Sequence, residues 1–280
     1  MNAIHALQPI YSIAGFVVGM LVGLTGVGGG SLMTPLLILL FGMHPAVAVG
    51  TDLLYAAATK TAGSVVHGFN RTIDWGVVRR LATGSVPMTV VTIAALRALD
   101  INSPAARELI NGVLTLALVM TAVTLVFRDK FVARYSNRLS LLPPKQVAVL
   151  TVAVGAILGT IVSISSVGAG AIGVTSLVLL YPKLPMARIV GTDIAHAVPV
   201  TLAGGIGHWL LGTLDLPVFA SLILGSVPGI LLGSYAAVRI PERALRIVLA
   251  GVLVLVATKL SFGLFSPASN VVAVETITRH

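Results

Sequence analysis

Apolar stretches carrying few charges recur along the chain at 10–24, 31–42, 46–68, 76–96, 107–127, 146–164, 170–181, 186–210, 217–238 and 244–262. Most are long enough to cross a hydrocarbon layer of ~30 Å at ~1.5 Å of rise per residue. Two are not. The stretches 31–42 and 170–181 are 12 residues each, a length that suits half-helices or re-entrant segments. Each accompanies a glycine cluster: Gly26, Gly28, Gly29 and Gly30 before the first, Gly168, Gly170 and Gly173 around the second. The pattern predicts an all-α polytopic membrane protein of about ten transmembrane segments, with short broken half-helices. The longest polar stretch, 128–145, divides the chain near its middle and is predicted to be a loop. Beyond Leu264 the chain turns polar again, and 265–280 reads as a loosely ordered tail.

Composition narrows the classes. Of 280 residues, 56% are hydrophobic and 10% charged, with a mean hydropathy of +1.02. Soluble domains carry roughly 25% charged residues, so a water-facing globule is excluded. There is no cysteine, which removes disulfides, iron–sulfur clusters and thiolate chemistry. The net charge of +9 invites a nucleic-acid partner, but aromatic residues make up only 5% of the chain and give bases no stacking platform. No nucleic acid is expected. The basic residues instead set orientation in the bilayer. Residues 1–9 contain no Lys or Arg, so the first span is expected to stay in the protein rather than leave as a signal peptide.

The two halves are copies. Gly50-Thr51-Asp52 returns as Gly191-Thr192-Asp193, His67 as His208, and Asp74 as Asp215, all at an offset of 141 residues. Gly84-Ser85-Val86-Pro87 returns at the same offset as Gly225-Ser226-Val227-Pro228. Val27-Gly28 returns as Val167-Gly168 at an offset of 140, which needs one single-residue gap. Copies this long fall outside the range of solenoid repeats and match the duplicated architecture of secondary transporters. The chain divides into a first transmembrane repeat at 1–135, a second, inverted one at 136–264, and the tail.

Five segments per repeat is an odd number, which turns the second copy upside down. Alternating faces put thirteen of the eighteen lysines and arginines on one side, among them Arg71, Arg79, Arg80, Lys183, Arg188 and the bases of 128–145. The positive-inside rule makes that side cytoplasmic and sends both termini outside. The expected location is the bacterial inner membrane. A cysteine introduced at Ser136 of this cysteine-free chain is expected to react with an impermeant maleimide only from the cytoplasmic side. Labelling from outside would reverse the topology.

The run GLTGVGGGSLMTPLL, followed by AVAVGTDLL and HGFNRTIDW, resembles the sulfite exporter TauE/SafE family of membrane transporters. A degenerate form recurs as ISSVGAGAIGVTSLVLL and ARIVGTDIAHA, so the resemblance covers nearly the whole chain. It implies movement of small anions such as sulfite, sulfonates or related sulfur and organic acids. The familiar pattern has Ser after Gly-Thr, where this chain carries Asp52 and Asp193.

Several residues carry candidate chemistry. Gly168, Gly170 and Gly173 spell a G-x-G-x-x-G with Asp193 20 residues further on, but without a βαβ unit this is no dinucleotide fingerprint. Close helix packing through small residues is the plain reading of the glycines. The functional reading is a backbone break at mid-membrane that bares helix N-termini. Free N–H groups and about half a positive charge there favour an anion. Matched short segments in two repeats point to a transporter's substrate site. The substrate-binding candidates are Gly26, Gly28, Gly29, Gly30, Ser31 and Thr34 in the first half, with Ser165, Ser166, Gly168 and Gly170 in the second.

Asp52 and Asp193 lie near the starts of their predicted spans, where an N-cap role competes with a role in ion coupling. Asp52 and His67 are 15 residues apart, about 60° around a helical wheel, and Asp193 and His208 repeat the arrangement. These four are the coupling and relay candidates, although a histidine at a span end also suits a plain interfacial position. Lys60, His196 and Tyr55 break the repeat. They are candidates for contacting the anion or for an ion pair, with snorkelling the competing role for Lys60.

The function expected is a secondary transporter, an exporter of small anions working by alternating access and coupled to an ion, a proton rather than sodium. Its partners are the anion, the coupling ion and the lipid bilayer; no enzymatic activity, cofactor or metal is expected. Two alternatives stay open. One is an intramembrane hydrolase using Ser165 or Ser166 with His208 or His196, and the other is a passive anion channel.

Overall fold

The structure is a computed structural model that describes residues 8–25, 30–101, 103–139, 141–237 and 242–265. Among the described residues every regular element is a helix. The helices are α1 (Pro9–Thr25), α2 (Gly30–Leu39), α3 (Pro45–Phe69), α4 (Trp75–Ala98), α5 (Pro104–Leu139), α6 (Pro144–Ser165), α7 (Ala171–Leu180), α8 (Met186–Leu210), α9 (Leu216–Ala237) and α10 (Glu242–Phe265). Each apolar stretch corresponds to one of them. Prolines open α1, α3, α5 and α6, where a missing N–H costs nothing. Asp74 caps α4 by accepting from Gly76 and Val77 N–H at 3.1 and 3.2 Å. His44 caps α3 through Nδ1, which accepts from Ala46 N–H. Burial, and secondarily the Arg107 charge, hold the His44 pKa below its usual value, which keeps Nδ1 free to accept.

Among the described residues five helices are long and apolar enough to cross a membrane: 75–98, 104–135, 144–165, 186–210 and 216–233. Shorter apolar helices lie at 9–21, 171–180 and 249–261. α2 and α7 have 10 residues each, about 15 Å at the usual rise, half of a hydrocarbon core. One expectation needs correction. The polar stretch 128–145 is mostly helical, because α5 runs on to Leu139. No Gly or Pro falls between Gly112 and Pro143, so charged helix formers extend the helix until Pro143-Pro144 stops it. The 135/136 boundary between the halves therefore falls inside α5.

At the centre α3 packs on α8, with α4 against α8 and α9 against α3. α1 packs on α9, α6 on α4, and α5 on α10; α2 lies against α3, and α7 against α5 and α8. Exchanging each helix with the one five places along turns α1/α9 into α6/α4, α4/α8 into α9/α3 and α2/α3 into α7/α8, while the contacts of α6 with α8 and of α3 with α5 have no comparable counterpart among the described residues.

The seams are built from glycine. A Cβ on Gly84 would run into the Val152 carbonyl, and one on Gly155 or Gly159 into the carbonyl of Leu81 or Ser85. The α1/α9 seam repeats this, with Gly15 and Gly19 against Leu222 and Ser226, and Gly225 and Gly229 against Ser12 and Phe16. Numbers rise together in both seams, so both pairs are parallel. In a bilayer apolar surface gives helices no reason to associate, and close backbone approach through small residues supplies the attraction.

α3 and α8 are antiparallel. Gly50 abuts Thr213 and His208, and Gly191 abuts Thr72 and His67. Threonines pin the halves together: Thr192 Oγ1 accepts from Asp74 N–H at 2.9 Å, and Thr51 Oγ1 from Asp215 N–H at 3.2 Å. One end carries an added ion pair, Arg188 to Asp74 at 3.5 Å; the equivalent of Arg188 at the other end is Val47.

Candidate substrate site at the helix breaks

The second break is built by its sequence. Ser166 ends α6 in the left-handed region at φ 59°, with its N–H on the Val162 carbonyl. Gly168 follows at φ +113°, where a side chain would be strained. The Ser165 hydroxyl donates to the Ile161 carbonyl at 2.8 Å and accepts from Val167 N–H at 3.2 Å, which commits it to holding the turn. α7 then opens at Gly170, which offers no side-chain cap. Gly26, Gly28 and Gly29 of the first break lie outside the described residues. Gly30 opens α2 and Ser31 follows it, the Ser31 side chain also lying outside the description.

Neither aspartate is an N-cap. Asp52 and Asp193 are the eighth residues of α3 and α8, two turns past the caps His44 and Pro185. Both are buried, and each faces the short helix of its own half. Asp52 Oδ2 accepts from Thr34 N–H at 3.2 Å and from the Thr34 hydroxyl. Asp193 Oδ1 lies where a Cβ on Gly173 would stand. Carboxylates beside the first turns of helices meet the positive end of the dipole.

Around them gather buried polar atoms with no hydrogen-bond partner: Asp52 Oδ1, Asp193 Oδ1, Tyr55 OH, Ser166 Oγ and His196 Nδ1. Ser166 stands beside Asp52 but outside hydrogen-bonding geometry. Orphaned buried groups are rare and cost ~1–3 kcal/mol each, so their gathering makes this the candidate site. Lys60, half-buried on α3, brings positive charge within reach of Asp193, Asp52 and His196. Three further unpartnered atoms, on Asn111, Thr115 and Thr121, belong to α5.

A second shell joins opposite halves. His196 Nε2 and Ser85 Oγ are 2.9 Å apart, and the Tyr55 hydroxyl stands beside Ser226. Tyr55 and His196 are repeat equivalents, as are Ser85 and Ser226, so the same two positions meet twice, with a hydrogen bond at His196–Ser85 alone. The two serines were missed as site residues, although their exact duplication inside Gly-Ser-Val-Pro was the signal available.

His67 and His208 lie at the far ends of α3 and α8, away from the aspartate of their own helix. His67 Nδ1 meets Thr72 Oγ1 at 2.8 Å; His208 Nδ1 meets Thr213 Oγ1 at 2.9 Å and its Nε2 faces the Ser163 carbonyl at 3.0 Å. A carbonyl only accepts, so His208 Nε2 carries the proton. Each ring packs on the Gly-Thr-Asp glycine of the opposite half. Each histidine thus stands beside the glycine of the opposite Gly-Thr-Asp and not beside its acid. Among the described residues no group of three or more metal-ligating side chains is gathered.

The family model described as Sulfite exporter TauE/SafE matches residues 11–260. The probable membrane transporter protein YjnA of Bacillus subtilis is 38% identical over 250 residues, covering 89% of this chain and 97% of that protein. YdhB of the same organism, also named a probable membrane transporter protein, is 24% identical over 78% of this chain and 86% of its own. A probable membrane transporter protein of Methanocaldococcus jannaschii is 23% identical over 88% of this chain and 92% of its own. No solved structure matches the chain.

Proposed function

The chain belongs to the sulfite exporter TauE/SafE family and is a multi-pass membrane transporter, and from that premise we propose that it exports small anions as a secondary, ion-coupled carrier. The observation that carries this reading is the cluster of orphaned buried groups beside the two short helices, with Lys60 near it. The anion sits between the glycine-rich stretches 26–31 and 166–170. Backbone N–H groups of α2 and α7 hold it, with hydroxyls from Ser31 and Ser166 and charge from Lys60, while Thr34 stays on Asp52. A sulfonate or carboxylate accepts several such hydrogen bonds at once.

Two buried aspartates beside an anion would repel it if both stayed bare. Lys60 offsets Asp193, while Asp52 takes up a proton that enters with or against the anion. His67 and His208 relay that proton at the ends of α3 and α8. Ten segments form two inverted repeats that rock against each other for alternating access. The helix pairs that recur five places along, α1/α9 with α6/α4 and α4/α8 with α9/α3, and the twin threonine pins support that architecture. The hydrolase alternative finds no support: Ser165 is committed to the Ile161 carbonyl, and the serine that His196 meets is Ser85.

The test is uptake into proteoliposomes with sulfite, sulfate, sulfonates and small carboxylates, with and without a pH gradient. Saturable counterflow of at least one of these, accelerated by the gradient, is the expected result. Ohmic currents without counterflow would make the protein a channel, and failure with the whole panel would remove the anion reading.

A further inference from the structure

At the end of the bundle where α6 begins, α4, α6 and the turn after α7 enclose a cleft of about 300 Å³. Its floor is hydrocarbon, with Leu142, Val147 and Leu180 among its walls, and two cations, Arg80 and Lys183, stand in it. No carboxylate lines it. Arg80 Nη1 donates to the Tyr181 hydroxyl at 3.4 Å, and that hydroxyl also meets Thr151 Oγ1 at 2.8 Å. The guanidinium is thereby held at the mouth instead of ranging through solvent.

A second groove of about 400 Å³ continues along α6, lined by Ala148, Val149, Val152, Ala153 and Ala156. Every lining side chain is aliphatic. Pro144 in the cleft is followed at four-residue steps by Ala148, Val152 and Ala156, so one ridge of α6 joins the two spaces. From Pro144 to Ala156 the ridge runs about 18 Å. α4 follows the same line, because Gly84, one turn beyond Arg80, packs against Val152 and Ala156. A polar, cationic mouth at the helix ends and an aliphatic trough farther along thus lie on one ridge of α6.

We propose that this cleft and groove bind one anionic phospholipid, its phosphate between Arg80 and Lys183 and one acyl chain along Ala148–Ala156. Basic pockets between transmembrane helices are suited to anionic headgroups. A free hydrated anion gains nothing from the aliphatic floor and trough. A zwitterionic lipid would bring its own cation against Arg80 and Lys183, so the charge favours a net-negative headgroup. The lipid braces the α4/α6 seam, and α4 carries the Ser85 that reaches His196. The inference is independent of which solute the protein carries.

Native mass spectrometry of the detergent-purified protein tests it, with phosphatidylglycerol and phosphatidylcholine of matched chains. Phosphatidylglycerol is expected to remain bound at higher collision energy and to raise the melting temperature. Arg80→Gln and Lys183→Gln each weaken its binding about fivefold, the worth of one cation near an anionic headgroup, and the double variant loses it. Ala153→Phe, which fills the trough and leaves both cations, also lowers occupancy. Inorganic phosphate alone gives no stabilisation. Equal retention of both lipids, retention by the double variant, occupancy unchanged in Ala153→Phe, or stabilisation by phosphate alone would each overturn the proposal. Size-exclusion profiles matching the parent keep loss of binding distinct from loss of fold.

Discussion

Leucine at Gly84 or Gly225 is expected to leave little folded protein in detergent extracts. The new Cβ would enter the carbonyl of Val152 in the first case and of Ser12 in the second. Neither atom is a side-chain tip that can turn aside; each belongs to the backbone of the facing helix, so the seam itself must open. Overpacking a core by a methylene or two costs ~1–3 kcal/mol. Prising two parallel helices apart along several interlocked glycines costs more, against a total stability of ~5–15 kcal/mol. Gly112 and Gly251 are the controls, since no neighbouring atom lies within 4 Å of an added Cβ at either. Leucine there removes a poor helix former and is expected to be neutral or mildly stabilising, by up to ~1 kcal/mol. Fluorescence-detected size exclusion and melting curves on the four variants read the contrast. Equal behaviour of Gly84→Leu and Gly112→Leu would mean that the seam is looser than its geometry.

Asp52→Asn is expected to keep the fold and lose the transport. Both donors from Thr34 converge on Oδ2, while Oδ1 has no partner. An asparagine can leave its carbonyl oxygen in the first position and its amide in the second, so the tie to α2 survives and only the charge goes. Melting should shift little. Export should fall at least about tenfold, ~1.4 kcal/mol on the barrier, and what remains should lose its dependence on a pH gradient. Asp52→Leu supplies the opposite control, because it strands the Thr34 N–H and hydroxyl and costs ~1–3 kcal/mol of stability. Should Asp52→Asn transport at the parent rate with the parent pH profile, the carboxylate is a structural clamp on α2 and proton coupling must lie elsewhere.

The helices were legible because a chain in lipid must satisfy its backbone within each apolar run, which ties hydropathy directly to structure. α5 escaped that logic at its polar end, where water tolerates charge and only Pro143-Pro144 sets the stop. The short segments and their breaks were visible as glycine clusters of matched position. The depth of Asp52 was not, since the start of α3 is set at His44-Pro45 and apolar residues on either side of a cap look alike. Contacts between halves were the least legible. The 141-residue offset states which residues are equivalent and nothing about which ones touch. The four-residue spacing of Gly15 and Gly19, or Gly225, Gly229 and Gly233, announces a close-packing face without naming its partner. Ser85 meets His196 because α4 packs on α8, and Gly50 meets His208 because α3 packs on α8.

The parallel α1/α9 seam sets an order on how the protein is made. When α1 leaves the ribosome its glycine face has no counterpart. The chain from Thr25 to Leu216, on the order of 190 residues, must be translated first, which takes ~10–40 s at 5–20 residues per second. α4 waits only for α6, the helix after next. Of the two glycine seams, the one between α4 and α6 is therefore complete in the nascent chain well before the one between α1 and α9. α1, made long before the helix that faces its glycines, is sealed in when α9 arrives.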